Sequence, residues 1–156
     1  MLTYDPVLHG RKRLVARFMT DETWARHANP RSGWTRVLTY PLLYVPIWLH
    51  NWYLLVIVAV WFAVNPRIFP KPKSTENWMS KGVLGEQLWT QQWHWDFPMM
   101  LGIVAVPCFI GAVYTAYMRM FWPLMFFASN ALVLKLWFVD RMVRFYEDHR
   151  QTQPES

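Results

Sequence analysis

Apolar residues fall in blocks along this chain, separated by strongly polar stretches. The two cleanest blocks run from about Pro98 to Met118 and from Phe121 to Val139, uncharged at their centres, with Lys135 near the end of the second. A hydrocarbon layer roughly 30 Å thick needs about 20 helical residues per crossing, so each block predicts one transmembrane helix. The earlier block, Trp34 to Val64, carries Arg36 near its start and no charge after it. It is long for one span and short for two. Pro41 and Pro46 disturb its first half, and 49-LHNW-52 has turn character, so the pattern predicts two short or tilted helices meeting there. A re-entrant hairpin or a single span are the alternatives.

The polar stretches carry patterns of their own. After the Pro-rich, extended 66-PRIFPKPKS-74, Ser74 or Thr75 is placed to cap a helix running to about Gln92. Its apolar residues Trp78, Met79, Val83, Leu84, Leu88 and Trp89 do not share one narrow stripe, which predicts contact on more than one side. Near the N-terminus, Leu8, Leu14, Val15, Phe18 and Met19 fall on one side of a helix with Arg13 and Arg17 opposite. That arrangement suits an interfacial helix on anionic headgroups or a solvated basic tail. The expected architecture is a single all-α membrane domain, 1–156, with about four transmembrane helices. It comprises a basic segment 1–33, a hairpin 34–64, a loop 65–97 holding a helix at about 75–92, helices 98–118 and 121–139, and a tail 140–156.

Composition agrees with a membrane location. The 156 residues are 54% hydrophobic and 18% aromatic, above the range of soluble domains. A mean hydropathy of +0.05 averages apolar blocks with charged ones, and Trp and Tyr score poorly although they favour bilayer interfaces. The run 14-LVARFMTDETWARH-27 is broken by charge too early for a signal peptide, so the basic start is expected to be retained. Cys108, the single cysteine, reads as a small side chain within an apolar run.

Charge gives the orientation. Lys and Arg number seven before the first span (Arg11, Lys12, Arg13, Arg17, Arg26, Arg31, Arg36), four in the loop (Arg67, Lys71, Lys73, Lys81) and three in the tail (Arg141, Arg144, Arg150). The short connections near His50 and Arg119 carry one. The positive-inside rule then puts both termini and the loop in the cytoplasm of a cell with its inner membrane crossed four times.

Polar residues at the inner face supply the candidate chemistry. The tripeptide NPR occurs at 29–31 and again at 65–67, flanking the first hairpin. Asn-Pro marks helix ends, because proline lacks an amide hydrogen and the asparagine side chain bonds nearby backbone. In the functional reading, Arg31 and Arg67 hold an anionic group, with Asn29 and Asn65 beside them and Glu86, Asp140 and Arg141 completing a partly desolvated cluster. Asp140 with Arg144, and Arg144 with Asp148, stand at ion-pair spacing on a helix. Asn130, deep in the last span, is expected to bond across to another helix. In the preceding span, Gly111 with Thr115 and Ala112 with Ala116 permit close approach of a neighbour, in this chain or another, and Pro107 is expected to kink that helix.

The strings 24-WARHANPRSGWTR-36, 65-NPRIFPKPKSTENWMSKGVLGE-86 and 134-LKLWFVDRMVRFYED-148 resemble a family of small, functionally uncharacterised integral membrane proteins of bacteria and archaea. The resemblance spans roughly 21–148 and implies the helical membrane fold, but no catalytic residue.

Enzymatic sets find little footing. The five histidines, His9, His27, His50, His94 and His149, are never paired at helical spacing, which argues against a di-iron centre. His94, in 91-QQWHWDFPMM-100, has the look of a haem or pigment ligand, but His50 is expected about 30 Å away at the other membrane face. Trp93 and Trp95 then read as an aromatic belt, with Asp96 and Pro98 starting the next helix. No cofactor or metal and no nucleic-acid partner is predicted. Three classes follow: an accessory or scaffold subunit packing on lipid and on partner subunits or copies of itself; a binding protein or enzyme for an anionic lipid or amphiphile; and a small transporter or cofactor carrier.

Overall fold

A computed structural model of the chain describes residues 20–91 and 95–152. The amphipathic set ending at Met19, and Trp93 with His94, lie outside the described residues. Among the described residues the fold is all-helical. In chain order the helices are α1 (Asp21–His27), α2 (Pro30–Thr39), a 3₁₀ turn (Tyr40–Leu43), α3 (Tyr44–Trp48), α4 (Trp52–Ile68), α5 (Trp78–Trp89), α6 (Phe97–Tyr117) and α7 (Phe121–Thr152).

Local chemistry explains most helix starts. Thr20, Asn29, Asn51 and Asp96 each accept a backbone N–H of the first turn, and proline occupies the opening turn of α2 and of α6. The start of α5 corrects the sequence expectation: it follows Asn77, not Ser74 or Thr75. The Ser74 hydroxyl instead accepts from the Glu76 amide at 3.3 Å in a tight local turn. Glu76 itself meets Arg150 (2.7 Å) and Lys81 (3.4 Å), and Lys81 also reaches Glu147 at 2.9 Å. Those bridges tie the head of α5 to the end of α7.

Two reversals shape the molecule. His50 (φ 51°) turns α3 into α4, and Arg119 (φ 55°) turns α6 into α7. Left-handed backbone costs a non-glycine residue roughly 1–2 kcal/mol. Here the two strained turns are bonded to each other: Arg119 donates from Nε to the Trp48 carbonyl at 3.0 Å and its Nη2 lies 2.8 Å from His50 Nδ1. The turns therefore share one end of the helix bundle.

α6 and α7 form the central antiparallel hairpin, and both are long and apolar enough to cross a membrane. At 32 residues, α7 is roughly 48 Å long, so its charged last third extends past any hydrocarbon layer. α4 is apolar but shorter, at 17 residues. One core joins Tyr44 and Ile47 of α3 to Ala112 and Ala116 of α6 and Leu124 and Ala128 of α7. The small residues of α6 thus serve packing within this chain. A second core, Met79, Leu101, Phe138, Val139 and Met142, gathers α5, α6 and α7. Asn130 departs from expectation: it is exposed and donates to the Phe126 carbonyl of its own helix at 2.7 Å. Its amide is satisfied locally, so no second helix is needed.

α5 lies against α7 more closely than ordinary side chains allow. A Cβ at Gly85 would stand 2.0 Å from the Met142 carbonyl oxygen, and one at Gly82 2.5 Å from a Val139 methyl. Gly85→Ala is therefore expected to push the helices apart and lower stability by about 1–3 kcal/mol. Gly102→Ala, with nothing within 4 Å of the added methyl, should be neutral or gain up to about 1 kcal/mol. Denaturation of the two variants in detergent, side by side, checks both signs.

Candidate functional site

The NPR repeat proves to be joined through its asparagines. Asn29 is buried and caps α2, and its Nδ2 donates to the Pro70 carbonyl at 2.9 Å beyond the end of α4. Asn65 has no exposed surface: Ser32 donates to its Oδ1 at 2.9 Å, and its Nδ2 donates to Thr35 Oγ1 at 3.0 Å. One helical turn along, Trp61 donates from its indole to Thr39 Oγ1 at 3.1 Å. Thr35 and Thr39 pass their own protons to carbonyls one turn back. The result is a polar seam binding α2 to α4 at a repeat of four residues.

The arginines of the repeat take no part in it. Arg31 and Arg67 are exposed, and among the described residues neither side chain has a hydrogen-bond or ion-pair partner. Glu86 and Asp140 meet other groups. Lys135 reaches Glu86 at 3.2 Å, and Asp140 accepts from Trp78 (3.4 Å) and Arg144 (3.3 Å). Arg141 is half-buried, and its Nε is without a partner.

A different cluster forms where α1, α2, α5 and α7 meet. Arg36 Nη2 lies 3.1 Å from His27 Nε2, while its Nε donates to the Ser32 carbonyl at 3.4 Å. Since guanidinium only donates, His27 Nε2 accepts and the ring proton is assigned to Nδ1, which is buried without a partner. Burial first, and the Arg36 cation second, push the His27 pKa down to about 4; Glu86 opposes this and Lys135 adds to it. His27 is thus neutral at pH 7. Two cations and one carboxylate remain, giving the cluster an excess of one positive charge.

Gly33 makes the junction possible. It admits the Met79 side chain against α2, and Trp34 stacks on Trp78 with ring centroids 6.1 Å apart. From Lys135 an apolar groove of about 370 Å³ runs along α6 and α7, lined by Trp89, Leu101, Gly102, Val106, Leu134 and Phe138 among others. Lys135 Nζ sits 4.6 Å over the Phe138 ring. Lys135 is therefore the cation of the cluster that also lines the groove. His27, Arg36 and Lys135 escaped the sequence analysis because they lie far apart in the chain and form no motif. The usable signal was the pair of isolated charges, Arg36 and Lys135, each inside an otherwise apolar block.

The model for a family of unknown function (DUF6653) matches residues 11–156, and the chain belongs to that family. No curated protein and no solved structure matches it. The match agrees with the resemblance of the NPR and KLWFVDRM strings to a functionally uncharacterised family.

Two outcomes follow from the geometry. Asn65→Leu leaves the Ser32 hydroxyl unpaired in a buried seam and is expected to cost about 2–4 kcal/mol, whereas Arg31→Ala with Arg67→Ala should leave detergent unfolding unchanged. His27 sets a pH dependence. The unfolded chain takes up a proton near pH 6.5 and the folded one only near 4, so stability is full above the first value and falls as pH drops between them. At about 1.4 kcal/mol per pH unit the loss approaches roughly 3 kcal/mol. Melting curves of wild type and His27→Gln from pH 7 to 4.5 should differ in slope over that window.

Proposed function

We propose that this member of the family is a multi-pass protein of the cytoplasmic membrane acting as an accessory or scaffold subunit, packed against lipid and against partner membrane proteins. The observation that carries the reading is the outward face of its apolar helices. Only 11% of the apolar window of α6 is buried within the chain. Tyr53, Val56, Ile57 and Val60 of α4 and Trp122 and Phe126 of α7 are likewise exposed. Contiguous apolar surface of this extent is met by hydrocarbon or by another protein's helices.

Four crossings with both termini in the cytoplasm fit this reading. The two turns at His50 and Arg119 are bonded together, while the head of α5 and the charged end of α7 are joined by ion pairs at Glu76, Lys81, Glu147 and Arg150. Positive residues concentrate in the segments that enter and leave this second end. The span of α4 is short, and a tilted or thinned local bilayer accommodates it.

A second reading is favoured by the His27–Arg36–Glu86–Lys135 cluster: recognition of an anionic lipid or amphiphile at the cytoplasmic face. Both readings share the topology.

Photoreactive residues at Val60 on α4 and Ile110 on α6 test the scaffold reading in native membranes. A discrete protein adduct from at least one site is expected. Adducts to lipid alone from both would remove it.

A further inference from the structure

We infer that the groove between α6 and α7 is the seat of one anionic phospholipid, its acyl chain lying along Gly102 and its phosphate on Lys135. The inference deepens the anionic-lipid reading and rests on it. Its starting point is an unexplained glycine. A Cβ at Gly33, Gly82, Gly85 or Gly111 would come within 3.0 Å of a neighbouring atom, so internal packing accounts for each of those four. Gly102 faces open space, with nothing inside 4 Å. Internal packing therefore gives no reason for a missing side chain here. The groove it opens supplies one, because a larger residue at 102 would occupy the floor of that groove.

Charge complements the cavity. Lys135 lines the groove, with its side chain 57% exposed on an otherwise apolar face of α7. An ammonium in that position is stabilised by reaching the headgroup layer. Glu86 lies 3.2 Å from it, and the same carboxylate also faces the Arg36 and His27 pair. One carboxylate shared between two cations leaves Lys135 able to bind a phosphate oxygen as well. Neutral His27 does not cancel or add to that charge.

The groove begins at Pro98 in the first turn of α6 and reaches Val106, a rise of roughly 12 Å into the apolar layer. That direction suits a chain descending from the headgroup level. Its lining is almost wholly hydrocarbon and aromatic, as an acyl chain requires.

The test uses the purified full chain in detergent, with phosphatidylglycerol or phosphatidylcholine titrated in and bound lipid read by native mass spectrometry. Wild type is expected to retain phosphatidylglycerol in preference to phosphatidylcholine. Gly102→Leu, which touches no atom of the folded chain at its Cβ, should weaken that retention at least tenfold with an unchanged melting temperature. Lys135→Gln should abolish the preference between the two lipids, and millimolar inorganic phosphate should not compete. If wild type prefers the anionic lipid but both variants bind like it, the seat is refuted and the broader reading stands. Equal binding of both lipids by wild type overturns both, and displacement by inorganic phosphate overturns the acyl-chain seat.

Discussion

The amide of Asn65 is the point from which the arrangement of the other helices follows. It is wholly buried, accepts from Ser32 and donates to Thr35, so neither of its polar ends is wasted. In an apolar layer the surroundings are as oily as leucine, and burial of hydrophobic surface cannot by itself select one helix neighbour over another. Hydrogen bonds and close backbone approach remain. The Thr35–Asn65 and Thr39–Trp61 contacts fix α2 on α4 in antiparallel register, since the first partner advances by four residues where the second steps back by four. With α2 fixed, its other face is committed: Gly33 receives Met79, and Val37 packs on the core that α5 shares with α6 and α7.

The remaining contacts divide between the two ends of the bundle. At one end, bonds between Arg119, His50 and Trp48 hold together turns that glycine would have made more cheaply. Glycine at Arg119 would relieve backbone strain and delete the link between the turns, whereas glycine at His50 would leave the bond from Arg119 to the Trp48 carbonyl. At the other end, glycines take over, and Gly82 with Gly85 lets α5 lie on the backbone of α7. The same economy of small residues recurs at Ala112 and Ala116 against Leu124 and Ala128. Gly102 falls outside this pattern, which is why it draws attention to the surface rather than to the interior.

The sequence was informative where a single element decided the outcome. Block length and apolarity marked α6 and α7, and Asp96 with Pro98 marked the start of α6. It was uninformative where the partner comes from elsewhere in the chain. Asn130 looked costly in mid-membrane, but an exposed amide bonded to its own helix could not be told from one crossing to a neighbour. Ser74 and Thr75 looked like caps because sequence shows hydroxyls and not the claims of Lys81 and Arg150 on Glu76. The NPR arginines drew notice by repetition, yet repetition marked the asparagines, whose amides do the joining. His27 and Glu86 lie 59 positions apart in the sequence, and only the packing of α5 against α1 puts the imidazole within the field of the carboxylate.

Neutrality of His27 decides how the charges of the cluster are arranged. A protonated imidazole beside Arg36 would put two buried cations in contact, and burial in low dielectric makes that arrangement expensive. Keeping the ring neutral lets it accept from Arg36 and hold the guanidinium toward the protein, with the Ser32 carbonyl on its Nε. Arg36 then has its donors directed inward, while Lys135 lies on the outer surface. A buried guanidinium locked by histidine and an outward ammonium sharing one carboxylate have different roles: Arg36 joins α1 to α2, and Lys135 is the exposed cation on which the proposed lipid seat rests.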